Sequence, residues 1–99
     1  MSEKTAIREK VNIKIDKPKL YKVIMHNDDY TTMEFVVDIL MKVFNKKASE
    51  ATKIMFDVHK KGSGIAGIYP YDIAITKVSR AHSEAIENGF PLKLSLKEE

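Results

Sequence analysis

Cysteine and tryptophan are absent from the 99 residues, and glycine and proline are scarce, at four and three. Without cysteine there is no disulfide framework, no thiolate zinc site and no thiol nucleophile. No apolar run approaches the roughly 20 residues that a spanning helix needs, so no membrane partner is expected. The opening stretch MSEKTAIREK has no apolar segment behind its charges. It does not read as a secretory signal, and a cytoplasmic setting is expected. Also missing are G-x-S-x-G, a phosphate-binding loop, a dinucleotide fingerprint and a metal-ligand spacing such as H-x-x-x-H. The three histidines are dispersed. The chain therefore reads as a non-enzyme, with no metal and no cofactor expected.

An excess of basic charge is missing from most of the chain too. The formal charge of +3 invites a nucleic-acid reading. Residues 1–19 hold six basic side chains against three acidic ones, which accounts for all of it. The remaining 80 residues carry eleven of each sign. Phosphate binding needs clustered Lys and Arg on a shaped surface, so no nucleic-acid partner is expected.

What is present is the balance of a soluble domain, with 43% hydrophobic and 31% charged residues. A single domain of this length buries a modest core. Residues 1–17 read as a flexible N-terminal arm closed off by Pro18, within which Asn12–Ile15 alternates weakly. Residues 18–99 read as the folded domain. Leu20–Met25 suits a pleated sheet and stops at polar His26-Asn27-Asp28-Asp29. Thr31-Thr32-Met33-Glu34 matches a capping box with Thr31 as the cap, opening a helix to about Asn45. Val36, Ile39, Leu40, Val43 and Phe44 form its apolar stripe. Lys42, Lys46 and Lys47 suit the negative end of its dipole.

A second helix is predicted over Ala48–Lys61, with Ala51, Ile54, Met55 and Val58 inward and Gly62 as its stop. Gly64–Tyr69 follows as a strand. Pro70 and Asp72 open a third helix whose small face is Ala74, Val78, Ala81 and Ala85, and Asn88-Gly89 ends it. Leu92–Leu96 alternates as a last strand. The order β-α-α-β-α-β predicts an α+β fold: a three-stranded antiparallel sheet with three helices packed on one face.

Asn27-Asp28-Asp29 is the densest polar cluster. Two carboxylates and an amide carbonyl can accept several hydrogen bonds from a cation such as an ammonium. A simple turn with helix-capping acids accounts for the same tripeptide. Met55, Val58 and His59 share one helical face, which fits either a core edge or one wall of an apolar pocket with a polar rim. Met33 and Val36 follow the acidic turn and read as core on spacing alone. Methionine also suits an adaptable binding surface.

The run Tyr21-Lys22-Val23-Ile24-Met25-His26-Asn27-Asp28-Asp29-Tyr30-Thr31-Thr32-Met33-Glu34-Phe35-Val36 resembles the opening of the ClpS family. These are bacterial adaptors that deliver N-degron substrates to a Clp-type AAA+ unfoldase. The resemblance continues through Ala51–Met55, Val58-His59, Gly67–Tyr69, Thr76–Val78 and Pro91-Leu92, covering nearly all of residues 18–97. It implies that Asn27, Asp28 and His59 hold a ligand's free α-ammonium, with Asp29 in support and ordering the turn. It implies an apolar pocket at Met25, Thr31, Met33, Val36, Met55, Val58 and Leu92 for an N-terminal Leu, Phe, Tyr or Trp. Met33 would crowd the pocket mouth and disfavour β-branched Ile and Val.

By the same resemblance Asp72 and Lys77 would face a ClpA- or ClpC-type unfoldase and the arm would take part in hand-off; a monomer is expected. Met25 stands where family members often carry Leu, and Thr32 where many carry Pro. Thr31 and Glu34 are expected to keep the cap regardless. A small ribosome- or nucleic-acid-associated binding module is the alternative reading.

Overall fold

The computed structural model describes residues 17–99. The expectations for residues 1–16, the arm and the weak Asn12–Ile15 alternation, lie outside the described residues. The elements are β1 (Leu20–His26), α1 (Met33–Lys42), α2 (Ala48–Lys61), β2 (Ser63–Pro70), α3 (Tyr71–Glu87) and β3 (Lys93–Glu98). The strands form one sheet in the order β2-β1-β3, and both pairings are antiparallel. The element order is the predicted one.

Alternation along β1 sets the two faces of the sheet. Val23 and Met25 are fully buried, whereas Lys22, Ile24 and His26 keep partial exposure. Leu94, opposite Met25, continues the inner face on β3. The helices cover this face only. The core joins Val23, Met25 and Leu94 to Val36, Ile39 and Leu40 of α1, to Ala51, Met55 and Val58 of α2, and to Ala74, Ala81 and Ala85 of α3. Each large aliphatic side chain withdrawn from water contributes roughly 1.5–3 kcal/mol. The alanine face lets α3 lie close against all three strands.

Gly62 ends α2 in the left-handed conformation, with φ 91°, as expected of a glycine there. Pro70 directly precedes α3, and Gly89 at φ 77° follows its end.

Two local expectations are corrected. The cap of α1 is Thr32, whose hydroxyl accepts from the Phe35 amide at 3.1 Å. Thr31 cannot serve, because its hydroxyl donates to Asp28 Oδ2 at 2.7 Å. Glu34 consequently sits one place too early to complete a capping box. Moreover, α1 stops at Lys42 rather than near Asn45. Asn45 is left-handed at φ 59°, and the Lys46 amide closes onto the Leu40 carbonyl at 3.0 Å. The cation bonded at this helix end comes from α3. Lys77 Nζ donates to the Val43 carbonyl at 2.7 Å and to Asn45 Oδ1 at 3.0 Å.

An irregularity in β2 is absent from the sequence reading. Val23 pairs with Gly67 and Ile24 with Ile65, so Ala66 is an extra residue in β2. Ile65 and Ile68, three apart, would face opposite ways in a regular strand. The bulge places both on the outer face, opposite Ile24 and Lys22.

Candidate functional site

β1, the central strand, ends at His26, and residues 27–32 cross from there to α1. Asp28 organises that crossing. Its Oδ1 accepts from the Tyr30 amide at 2.8 Å and the Thr31 amide at 2.7 Å, while Oδ2 takes the Thr31 hydroxyl. Partial burial pushes this carboxyl up, but the bonds from the Thr31 amide, the Thr31 hydroxyl and the Tyr30 amide outweigh it. The group is held below its ordinary 3.8 and is ionised at neutral pH. Asp29, expected to order the turn, makes none of these bonds. It is exposed and has no hydrogen-bond partner among the described residues.

Both ends of the crossing are fastened. The Asn27 amide donates to the Gly62 carbonyl at 3.0 Å, tying the segment to the end of α2. Thr32 caps α1, and the Phe35 ring packs on Phe90 with centroids 4.8 Å apart. The polar segment is thus fixed between two helices, at a set distance from the last turns of α2.

A cavity of about 390 Å³ lies between them, lined by Asn27, Asp28, Asp29, Tyr30, Thr31, Thr32, Met33, Val36, Met55, Val58 and His59. Nine of the residues singled out from sequence meet here. Met33, Val36, Met55 and Val58 form an apolar wall, and Asn27, Asp28 and His59 form a polar one. Among the described residues, the Asn27 side chain and the His59 ring hold no hydrogen bond within the protein. A carboxylate has about four acceptor positions. Three of those on Asp28 are occupied, which leaves one on Oδ2. The cavity therefore offers an anionic, acceptor-rich end beside an apolar slot. That pairing matches an ammonium carried next to a large apolar group.

Met25 and Leu92, expected in the pocket, do not line the cavity and belong to the core. Tyr30 and Thr32 line it without having been singled out. Their place beside the acidic string was the available signal. Asp72 is exposed in the first turn of α3, far along the chain from the cavity residues. Lys77 is half-buried in its bonds to the α1 end, with its ammonium 5.3 Å from the Tyr69 ring centre.

His82 also escaped notice. Its Nε2 accepts from the Leu94 amide at 3.1 Å, so it supports the start of β3 rather than a ligand. Among the described residues, no three His, Asp or Glu side chains cluster to hold a metal, and no helix is long and apolar enough to cross a membrane.

Comparison with known proteins gives a consistent result. The sequence profile of the family described as ATP-dependent Clp protease adaptor protein ClpS matches residues 16–95. The chain is 60% identical to the ATP-dependent Clp protease adapter protein ClpS of Clostridium acetobutylicum, with 99% of each chain covered. It is 55% identical to the protein of the same description from Acetivibrio thermocellus, over 93% of each. Among solved structures, Agrobacterium tumefaciens ClpS2 bound to L-phenylalaninamide aligns with a TM-score of 0.80 at 40% identity, covering 84% of this chain and 100% of that one.

Proposed function

This chain belongs to the ClpS family of ATP-dependent Clp protease adaptors, which are not enzymes, and from that premise we propose that it binds proteins by an unmodified N-terminal Leu, Phe, Tyr or Trp and delivers them to a ClpA- or ClpC-type unfoldase in the cytoplasm. The observation that carries this reading is a cavity that joins an acceptor-rich end to an apolar wall. The ligand named for the Agrobacterium protein, L-phenylalaninamide, pairs an α-ammonium with a benzyl side chain. Those two halves match the two ends of the cavity.

In this reading the ammonium donates to Asp28 Oδ2, the Asn27 side-chain carbonyl and the His59 ring. Asp28 is the anionic member, and Asp29 adds charge without direct contact. The first side chain lies along Met33, Val36, Met55 and Val58. Burying it contributes roughly 1.5–3 kcal/mol. The amine end supplies selectivity. A chain-internal or acetylated residue offers one N–H in place of three and leaves buried acceptors unpaired, at about 1–3 kcal/mol. Met33 remains 42% exposed at the rim, where it narrows the entrance against β-branched residues. Asp72 and Lys77 would meet the unfoldase, residues 1–17 would act in the hand-off, and one copy suffices.

The test is fluorescence anisotropy with a labelled peptide beginning in Leu and with its acetylated twin. The first should bind and the second should not, and equal affinity would sink ammonium recognition. His59→Ala should weaken binding without changing the melting temperature. Unchanged affinity with a lowered melting temperature would make His59 structural. Met33→Ala should admit Ile and Val.

A further inference from the structure

The sheet face turned away from the helices is left unused by the cavity reading. Strand register lays it out in rows. Lys22 stands between Ile68 and Lys97, Ile24 between Ile65 and Ser95, and His26 between Ser63 and Lys93. Ile65 and Ile68 are 45% and 41% exposed, and Leu20 at the start of β1 is 39% exposed. A depression of about 410 Å³ opens here, lined in part by Lys22, Ile24, Ile65 and Lys97.

Two features of this face work against the fold. Aliphatic side chains stay in water, and the bulge at Ala66 is what turns the second isoleucine outward. In addition, Lys22 and Lys97 are direct cross-strand neighbours, an arrangement in which like charges repel. No residue of the three strands on this face is acidic. Carboxylates lie at its margin: Asp57, which also lines the depression and pairs with Lys61 at 3.7 Å, Glu98, which pairs with Lys19 at 3.6 Å, Glu99 beyond β3, and Asp28 and Asp29, which line a neighbouring depression with His26 and Lys93. Although residues 20–99 are neutral overall, their charge is unevenly placed.

We propose that this outer sheet face is a docking surface for a segment of another protein that alternates carboxylates with aliphatic side chains. Such a segment would lay its aliphatic groups on Ile24, Ile65 and Ile68 and its carboxylates on Lys22 and Lys97. Charge complementarity selects this occupant. The chain's own residues 1–19 are net basic and would add to the repulsion. A second copy of the face would set lysine against lysine. Single-stranded RNA is served by aromatic stacking platforms, and this face has isoleucine where those would stand. The inference is independent of the amine cavity.

The test uses the full chain, labelled with nitrogen-15, and an N-acetylated alternating Glu-Leu peptide whose blocked end keeps it out of the amine site. Addition of the peptide should shift the amide signals of Lys22, Ile24, Ile65, Ile68 and Lys97 and leave those of Asn27–Thr31 in place. The Lys22→Gln, Lys97→Gln double variant should lose about tenfold in affinity. Lys97→Glu should raise the melting temperature while abolishing peptide binding, which separates docking from folding. An alternating Lys-Leu peptide and oligouridylate should leave the face unshifted. The proposal is overturned if no face amide moves, if oligouridylate or the Lys-Leu peptide moves the same amides at equal or lower concentration, or if Lys97→Glu destabilises the protein and keeps peptide affinity.

Discussion

Three hydrogen bonds that order residues 28–31 end on the carboxylate of Asp28, and all three come from Tyr30 and Thr31. The same bonds hold its pKa below 3.8, so the charge offered to a ligand and the order of the loop share one cause. The sign follows from linkage. The unfolded chain takes up this proton before the folded one does, so the contribution is complete above the unfolded value and is lost as pH falls through the lower, folded value. Resistance of the wild type to urea should therefore weaken as pH falls through 3.8 and below it, and Asp28→Asn should show less of that weakening. An identical pH slope in both proteins would remove Asp28 from the acid response. Peptide affinity should be lower in Asp28→Asn even at neutral pH, because the anion is gone.

At the scale of the elements, two adjacent threonines have separate duties. Thr32 caps α1 and Thr31 binds Asp28, so their alanine variants should fail differently. Thr32→Ala should cost about 1 kcal/mol of stability by urea unfolding, with peptide affinity largely retained. Thr31→Ala should reduce affinity by loosening Asp28, and an NMR titration should find the Asp28 pKa raised toward 3.8. The capping pattern favoured Thr31 because Glu34 stands three residues on, although Thr32 has the same chemistry one place later. The choice is made by Asp28, whose carboxylate takes one hydroxyl away. Where a single residue dictates the backbone, as Gly62 does for the end of α2, the boundary could be read from sequence. Apolar spacing likewise located the inner stripes of all three helices. The bulge at Ala66 had no such marker, because an extra small residue in a glycine-bearing strand leaves the composition unchanged. Met25 and Leu92 show a related limit: the resemblance implied them as pocket positions, and here they are buried in the core outside the cavity lining.

For the molecule as a whole, α3 is joined to the far end of α1 by Lys77. Its bonds to Val43 and Asn45 close a helix terminus that has no other cation bonded to it among the described residues. Asp72, by contrast, is exposed on the same helix, where its backbone carbonyl accepts from the Thr76 hydroxyl. Lys77→Met should lower the melting temperature clearly and Asp72→Asn should not, in thermal unfolding followed by circular dichroism. If calorimetry with an unfoldase N-terminal domain finds both variants weakened, the loss in Asp72→Asn reports the contact surface directly. The loss in Lys77→Met then includes a displaced α1 end. One bond remains whose consequence is a matter of time rather than of energy. The Asn27 amide is held by the Gly62 carbonyl, so it can meet solvent only when residues 27–32 lift from the end of α2. Its exchange with deuterium is a clock for how often the cavity opens. A saturating Leu peptide, touching both the loop and His59, should slow that clock many-fold. It should leave the Leu94 amide, held elsewhere by His82, exchanging at its former rate.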